Sequence, residues 1–357
     1  MTLNADTVRE FASAENLNEA LLYENAEEQA GICNLCAHRC YIPVGQIGIC
    51  KVKENRAGRL YSLVYDRIIS VNIDPIEKKP LHHFLPSTRS YSFATVGCNF
   101  HCRFCQNWDI SQMPRDYKGV ILGQKARPKE IVCRALAARC KTISYTYTEP
   151  TIFFELAYDT AKLAAEAGLK NIFVTNGFIS EAPLRELATV LDAANVDLKF
   201  LKPESYRRIS RARLEPILDA IRLYRALGVW VEVTTLVIPG VNDTDDELKA
   251  IAAFVASVGP EVPWHVSQFY PAWKMLDRPV TAVETLRRAA AIGRQAGLRY
   301  VYEGNVPGEK GENTWCPGCG ALLIERYGHH VRGNRIRQGA CPDCGTRIDG
   351  VDMSARG

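Results

Sequence analysis

Thirteen cysteines stand out in this chain, and eleven of them fall into three short-spaced groups. Cys33, Cys36, Cys40 and Cys50 form the first, Cys98, Cys102 and Cys105 the second, and Cys316, Cys319, Cys341 and Cys344 the third. The chain is large and the count odd, so such spacing points to metal ligation in a reducing compartment rather than to disulfides. The second group, Cys98-Asn-Phe-His-Cys102-Arg-Phe-Cys105, puts three thiolates on one loop. Three can hold three corners of a cubane iron–sulfur cluster and leave its fourth iron open to a substrate or cofactor; the common four-cysteine arrangement leaves none open. The competing reading is a zinc site with a distant fourth ligand, or plain buried thiols.

The surrounding sequence must position these ligands. At about 150 residues per domain, 357 residues make two or three folded units. A composition of 47% apolar and 24% charged residues is that of a globular protein. A net charge of +4, from 44 basic and 40 acidic residues, gives no support to a nucleic-acid or membrane partner. No uncharged apolar run approaches the roughly 18 residues of a spanning helix. The start, Met1-Thr-Leu-Asn, lacks the basic and apolar regions of a signal peptide, so a cytoplasmic protein is expected.

Three segments follow from the patterning. Residues 1–85 are expected to hold an amphipathic helix (Leu17, Ala20, Leu21, Tyr23), the first cysteine group in a loop, and a β-hairpin over 60–73. Residues 86–306 alternate strand-like and helix-like stretches. Strands are predicted at 92–97, 142–147, 171–175, 196–200, 229–238, 264–269 and 298–302, with helices between them at 128–139, 153–167, 181–192, 214–227, 244–257 and 283–296. Gly168, Gly228 and Gly297 mark three helix ends. Such alternation implies an α/β fold with parallel strands, either a barrel or a doubly wound sheet. Polar residues recur at the C-terminal strand ends, where α/β barrels build their active sites, and this favours the barrel. They include Glu149, Asn176, Asp197 with Lys199, Asn242, His265 and Glu303. Residues 307–357 have no such rhythm and form a small module of their own. Cys133 and Cys140, seven apart on a predicted helix, read as core thiols, and His82-His83 as structural.

The second cysteine loop, with an aromatic before its last cysteine, resembles the radical S-adenosylmethionine (SAM) superfamily, and the resemblance spans roughly residues 91–305. It implies a partial (βα)6-type TIM barrel, a [4Fe–4S] cluster on Cys98, Cys102 and Cys105, and SAM chelated by the open iron. Reduction then yields methionine and a 5′-deoxyadenosyl radical that abstracts hydrogen. By position, Phe104 is expected near the adenine. Tyr147-Thr-Glu-Pro150 stands where the superfamily has Gly-Gly-Glu-Pro, leaving Glu149 to meet the SAM ammonium, with a helix N-cap as its alternative role. Val174-Thr-Asn176-Gly-Phe178 and Val196-Asp197-Leu-Lys199 resemble segments of the glycyl-radical-enzyme activases that form the SAM carboxylate and ribose pocket. The acidic residue of the activase cation site is Val174 here, which argues against a monovalent cation. Lys199 is expected to pair with the SAM carboxylate or else to reach solvent. His265 is expected either to contact SAM or substrate or to be a core histidine.

A narrower likeness runs through Asp74-Pro-Ile-Glu-Lys-Lys-Pro-Leu-His82, Ala94-Thr-Val-Gly-Cys98, Cys105-Gln-Asn-Trp-Asp-Ile-Ser-Gln112 and Tyr302-Glu-Gly-Asn-Val-Pro307. These segments are similar to the radical SAM enzyme of the AmmeMemoRadiSam system. That likeness implies AMMECR-type and Memo-type partner proteins and a reductant such as flavodoxin or ferredoxin.

The third cysteine group is two C-x2-C knuckles separated by 21 residues and resembles a zinc ribbon, with zinc or an iron–sulfur site as the occupant. Arg326, Arg332, Arg335, Arg337 and Arg347 make the module basic, on a solvated face or one serving RNA or an acidic partner. The first group, C-x2-C-x3-C-x9-C, predicts zinc or a second cluster. Competing functions are a glycyl-radical-enzyme activase and, in another class, a zinc-ribbon nucleic-acid-binding or RNA-modifying protein.

Overall fold

The computed structural model of the chain describes residues 18–306, 308 and 310–355. Its centre is an eight-stranded sheet: β1 (Ser70–Pro75), β2 (Arg89–Ala94), β3 (Thr142–Tyr145), β4 (Lys170–Thr175), β5 (Ala193–Asp197), β6 (Trp230–Val237), β7 (Trp264–Gln268) and β8 (Val301–Gly304). The strands lie in sequence order, and only β1 runs antiparallel to its neighbour. A doubly wound sheet would reverse its order at a switch point; this one winds in a single direction. Between the parallel strands run α1 (Pro128–Ala137), α2 (Phe154–Glu166), α3 (Glu181–Leu187), α4 (Glu215–Ala226), α5 (Asp245–Val258) and α6 (Val283–Gln295). Runs such as Trp230-Val-Glu-Val-Thr-Thr-Leu-Val237 suit the pleated, doubly covered environment of a parallel strand. Gly168, Gly228 and Gly297 take φ of +75°, +82° and +94° just past α2, α4 and α6, as the turn signals predicted.

The amphipathic helix expected near the start does not form over the described residues, and residues 1–17, with Leu17, lie outside them. Residues 18–62 instead make two small antiparallel sheets. One joins Asn18–Glu19, Arg59–Ser62 and Lys53–Arg56; the other joins Tyr23–Asn25, Gly31–Cys33 and Tyr41–Ile42. Leu22 sits at φ +54°, which no right-handed helix admits, and the Leu21 N–H is bound by Glu155 of α2. The hairpin is therefore at 53–62, earlier than expected. A buried Lys53–Glu155 ion pair fastens this segment to α2. Cys140 is buried just past α1, whereas Cys133 is exposed on that helix rather than in the core.

The C-terminal module is a three-stranded sheet (Thr314–Trp315, Leu322–Tyr327, His330–Asn334) closed over Tyr300 and Tyr302. Arg326, expected on a solvated or binding face, is buried. Its guanidinium donates to the Glu312 and His82 carbonyls and to Thr314 Oγ1, so it locks the module to the loop before β2. Beneath it His83 bonds the Asp349 carbonyl and the Tyr302 hydroxyl with its two ring nitrogens. No helix among the described residues is long and apolar enough to cross a membrane.

Burial pushes the His83 ring down to about 4 from 6.5. Between those values the unfolded chain binds a proton that the folded chain refuses, so stability falls as pH drops through that window, by roughly 3 kcal/mol. Denaturant midpoints at stepped pH check this: the acid slope of the wild type must flatten in His83→Gln.

Candidate functional site

The loop Cys98–Cys105 leaves the C-terminal end of β2 through Gly97, whose φ of +99° lies in the left-handed region. A Cβ there would also stand 2.7 Å from Val52 and 3.0 Å from the Cys50 carbonyl, so glycine is required twice over. The loop is held along its length. His101 and Arg103 donate to the carbonyls of Ser210 and Ile209 at 3.0 and 3.1 Å, and Gly97 to that of Ile110 at 3.1 Å. Gln112 reaches the Phe100 carbonyl, and Asn176 Nδ2 reaches Asn99 Oδ1 at 2.8 Å.

Each sulfur has a polar neighbour. The Phe100 N–H donates to Cys98 Sγ at 3.3 Å; the Ser210 hydroxyl lies 3.3 Å from Cys102 Sγ and that of Ser111 3.4 Å from Cys105 Sγ. Burial raises the Cys98 thiol, followed by the fields of Glu149, Cys102 and Cys105, and burial pushes Cys102 up to about 11. Such thiols become thiolates by binding metal, which compensates the charge.

The loop residues and the ends of β4 and β5 converge. Lys199 Nζ bonds Asp197 Oδ2 at 2.6 Å and stands 5.8 Å over the Phe104 ring, while Phe104 meets Phe200 edge-on at 6.3 Å. Burial works against the Lys199 ammonium, but Asp197 and Cys102 outweigh it and hold it above the usual lysine range. The Tyr206 hydroxyl accepts from the Lys199 N–H at 2.9 Å.

Glu149 is buried, and its carboxylate is already engaged. Oε1 accepts from the Thr151 N–H and hydroxyl and from the Thr175 hydroxyl, and Oε2 accepts from the Asn176 N–H at 2.8 Å. It caps the turn Pro150–Phe153 and clamps the end of β3 to that of β4, which is the capping role read as an alternative in the sequence. Before it, Tyr147 occupies φ +64°, the conformation a glycine favours, at a place where the superfamily has glycine. Its hydroxyl bonds Asp74 and its ring lies 4.6 Å from Lys79 Nζ, so the Asp74–His82 motif fixes the side chain that replaces the glycine.

His265 lies elsewhere. It is the second residue of β7 and pairs with Glu232 at 2.7 Å near the start of β6, at the opposite end of the sheet from the cysteine loop. Its ring is closed in by His82 and Tyr302 at 4.7 and 5.1 Å. The SAM or substrate contact gives way here to the core-histidine alternative, because a residue entering a parallel strand faces away from the strands' C-terminal mouth. Ser210, Tyr206 and Arg115 were not found in the sequence; they reach the site through tertiary contacts, and no spacing signals them.

The two outer cysteine groups differ. Cys316–Cys344 and Cys319–Cys341 sulfurs lie 3.6 and 3.7 Å apart, and all four ligand atoms lie within 4.8 Å of one another. A tetrahedral ion bonded at about 2.3 Å requires sulfurs about 3.8 Å apart, so the tetrad is set for one ion. Gly320 and Gly345, each following a knuckle's second cysteine, turn the chain at φ +74° and +76°. Cys33, Cys36, Cys40 and Cys50 instead line one cavity together with Leu35, Ile42 and Ile152.

The profile of the Radical SAM superfamily matches residues 93–255. The chain is 45% identical over 336 residues to an uncharacterized protein of Methanocaldococcus jannaschii, covering 93% of this chain and 99% of that one. It is 30% identical to GTP 3′,8-cyclase 2 of Pseudomonas aeruginosa (66% of this chain, 76% of the relative). To pyruvate formate-lyase 1-activating enzyme of Escherichia coli it is 22% identical (66% and 88%).

Proposed function

The chain belongs to the radical SAM superfamily, and on that premise we propose that it is an enzyme that cleaves SAM reductively on a [4Fe–4S] cluster held by Cys98, Cys102 and Cys105. The observation that carries this is the cysteine loop itself. Its three thiols neighbour one another at the C-terminal end of β2, Cys102 buried and Cys98 and Cys105 half-buried, with Lys199 and Phe104 beside Cys102. Among the described residues no three of these ligand atoms lie within 4.8 Å of one another. Sulfurs sharing one ion would stand about 3.8 Å apart, so the wider spacing favours a cluster over a single metal. It fits a cluster, whose corners take one thiolate each. When bound, the cluster supplies the electron that breaks a carbon–sulfur bond of SAM, giving methionine and a 5′-deoxyadenosyl radical for hydrogen abstraction.

The chain's own residues place the cofactor. Lys199 offers its ammonium to the SAM carboxylate, and Asp197 keeps that ammonium charged and aimed. Asn176 and Asp197 border the ribose, and Phe104 offers an apolar ring to the adenine. Glu149 Oε2, which takes one N–H bond, keeps a lone pair for the SAM ammonium. The singly wound sheet reads as a partial (βα)6 barrel. The C-terminal tetrad reads as a structural zinc site of ribbon type, with its coordination closed. The Asp74–His82 segment supports placement in the AmmeMemoRadiSam group, whose AMMECR-type and Memo-type proteins are the partners we assign.

The test is spectroscopic. In anaerobically reconstituted protein, SAM must shift the electron paramagnetic resonance (EPR) signal of the reduced cluster, because the cofactor binds its open iron. Glu149→Gln must still assemble the cluster but bind SAM about 10- to 150-fold more weakly, the loss of one charge-assisted bond. It must also lose about 1–3 kcal/mol of folding stability and melt lower, since an amide NH2 meets the Asn176 N–H. A lowered melting temperature with unchanged SAM affinity would make Glu149 a clamp alone.

A further inference from the structure

We propose that Cys33, Cys36, Cys40 and Cys50 hold a second [4Fe–4S] cluster in a pocket of their own, directly against the Cys98–Cys105 loop. The four cysteines come from three places. Cys33 ends the strand Gly31–Cys33, Cys36 and Cys40 lie in the turn before Tyr41–Ile42, and Cys50 lies in the turn before Lys53–Arg56. They nevertheless face one cavity, closed otherwise by Leu35, Ile42, Ile49 and Ile152. The cation at its edge, Lys53, is paired with Glu155, and His38 Nε2 is tied to the Asn99 carbonyl at 2.9 Å.

Spacing decides between one ion and a cluster. The C-terminal tetrad shows what a one-ion site looks like in this chain, with sulfurs 3.6 and 3.7 Å apart. Among the described residues no three ligand atoms of the N-terminal group lie within 4.8 Å of one another. One zinc would need sulfurs about 3.8 Å apart, the spacing that the C-terminal tetrad has and that no three of these sulfurs show. A cubane suits them, because each thiolate takes its own iron at a separate corner. The amides are arranged for it as well. The backbone at Leu35, His38 and Val52, each two residues past a cysteine, favours the thiolates of Cys33, Cys36 and Cys50. Hydrogen bonds to the sulfurs are among the features that tune such clusters.

The site is built into the wall of the first. The Cys50 carbonyl packs on Gly97, the residue before Cys98. His38, between Cys36 and Cys40, holds Asn99, between Cys98 and Cys102. Arg115 donates to the Ile49 carbonyl at 3.0 Å, and the fields of both Cys98 and Cys50 fall on its guanidinium. A cation placed between the two ligand loops offsets the repulsion of two anionic clusters.

Full-length protein, reconstituted anaerobically and desalted, tests this by metal and sulfide counts with EPR of the reduced sample. The triple variant Cys98→Ala, Cys102→Ala, Cys105→Ala must retain about four irons and four sulfides and give a signal indifferent to SAM. The double variant Cys33→Ser, Cys36→Ser must lose about half the iron of the wild type while keeping the SAM-responsive signal, which also shows that its loop region is folded. Triple-variant protein that holds no iron after desalting, or that takes up a second zinc instead, overturns the proposal. A wild-type signal that ignores SAM, with the triple variant still holding its cluster, would overturn the SAM reading and leave this site standing.

Discussion

Cys98→Ala, Cys102→Ala and Cys105→Ala each reduce reductive SAM cleavage to background. In the proposed cluster every one removes the sole protein ligand of a corner iron, and no fourth cysteine of that loop stands in reserve. The loss is chemical rather than a collapse of the fold, because the loop backbone is held by Ser210, Ile209 and Ile110 through bonds that do not involve the sulfurs. The readout is 5′-deoxyadenosine formed under reductant, with far-ultraviolet circular dichroism confirming that the variants remain folded. Normal cleavage by Cys98→Ala would remove the basis of the site.

If Cys316, Cys319, Cys341 and Cys344 hold the proposed zinc, stripping it unfolds the C-terminal module. Its core is small, and thiolate–zinc sites in isolated fingers contribute about 10–16 kcal/mol of apparent binding energy, far more than such a core provides. The damage does not stop at the module, since Arg326 holds the His82 carbonyl and Val351 exchanges backbone bonds with His83 and Leu85. Hydrogen exchange after chelation must therefore rise across residues 312–355 and also across 82–85. One zinc per tetrad, counted before chelation, goes with this. Full protection in the metal-free protein would show the module to be self-sufficient.

How far the sequence carried the fold depended on distance along the chain. The strands β3, β4, β6 and β7 and all six helices were legible because each has its own periodicity and end signals. β5 was predicted at 196–200 but starts at Ala193, since Ala-Ala-Asn has little strand preference and is drawn into the sheet by pairing with Trp230–Glu232. The N-terminal segment was misread for a related reason: strands of two or three residues are too short to show a period, and apolar residues at 17, 20 and 21 imitate a helix. Spacing alone located the cysteine groups, because ligand chemistry fixes it. The residues that serve those groups were not legible. Ser210 is 108 positions from Cys102, and Arg326 reaches across 244 positions to His82, so a buried clamp looked like one more surface arginine. Glu149 was legible as important, with two possible roles, and the structure displays the clamp.

The most direct measurement of the central claim is the stoichiometry of SAM cleavage by the reconstituted wild type. Under anaerobic conditions, with a one-electron reductant and excess SAM, methionine and 5′-deoxyadenosine must appear in equal amounts, and neither must form when reductant is withheld. Protein that carries its full complement of iron and sulfide and binds SAM, yet forms no 5′-deoxyadenosine on reduction, would contradict the account.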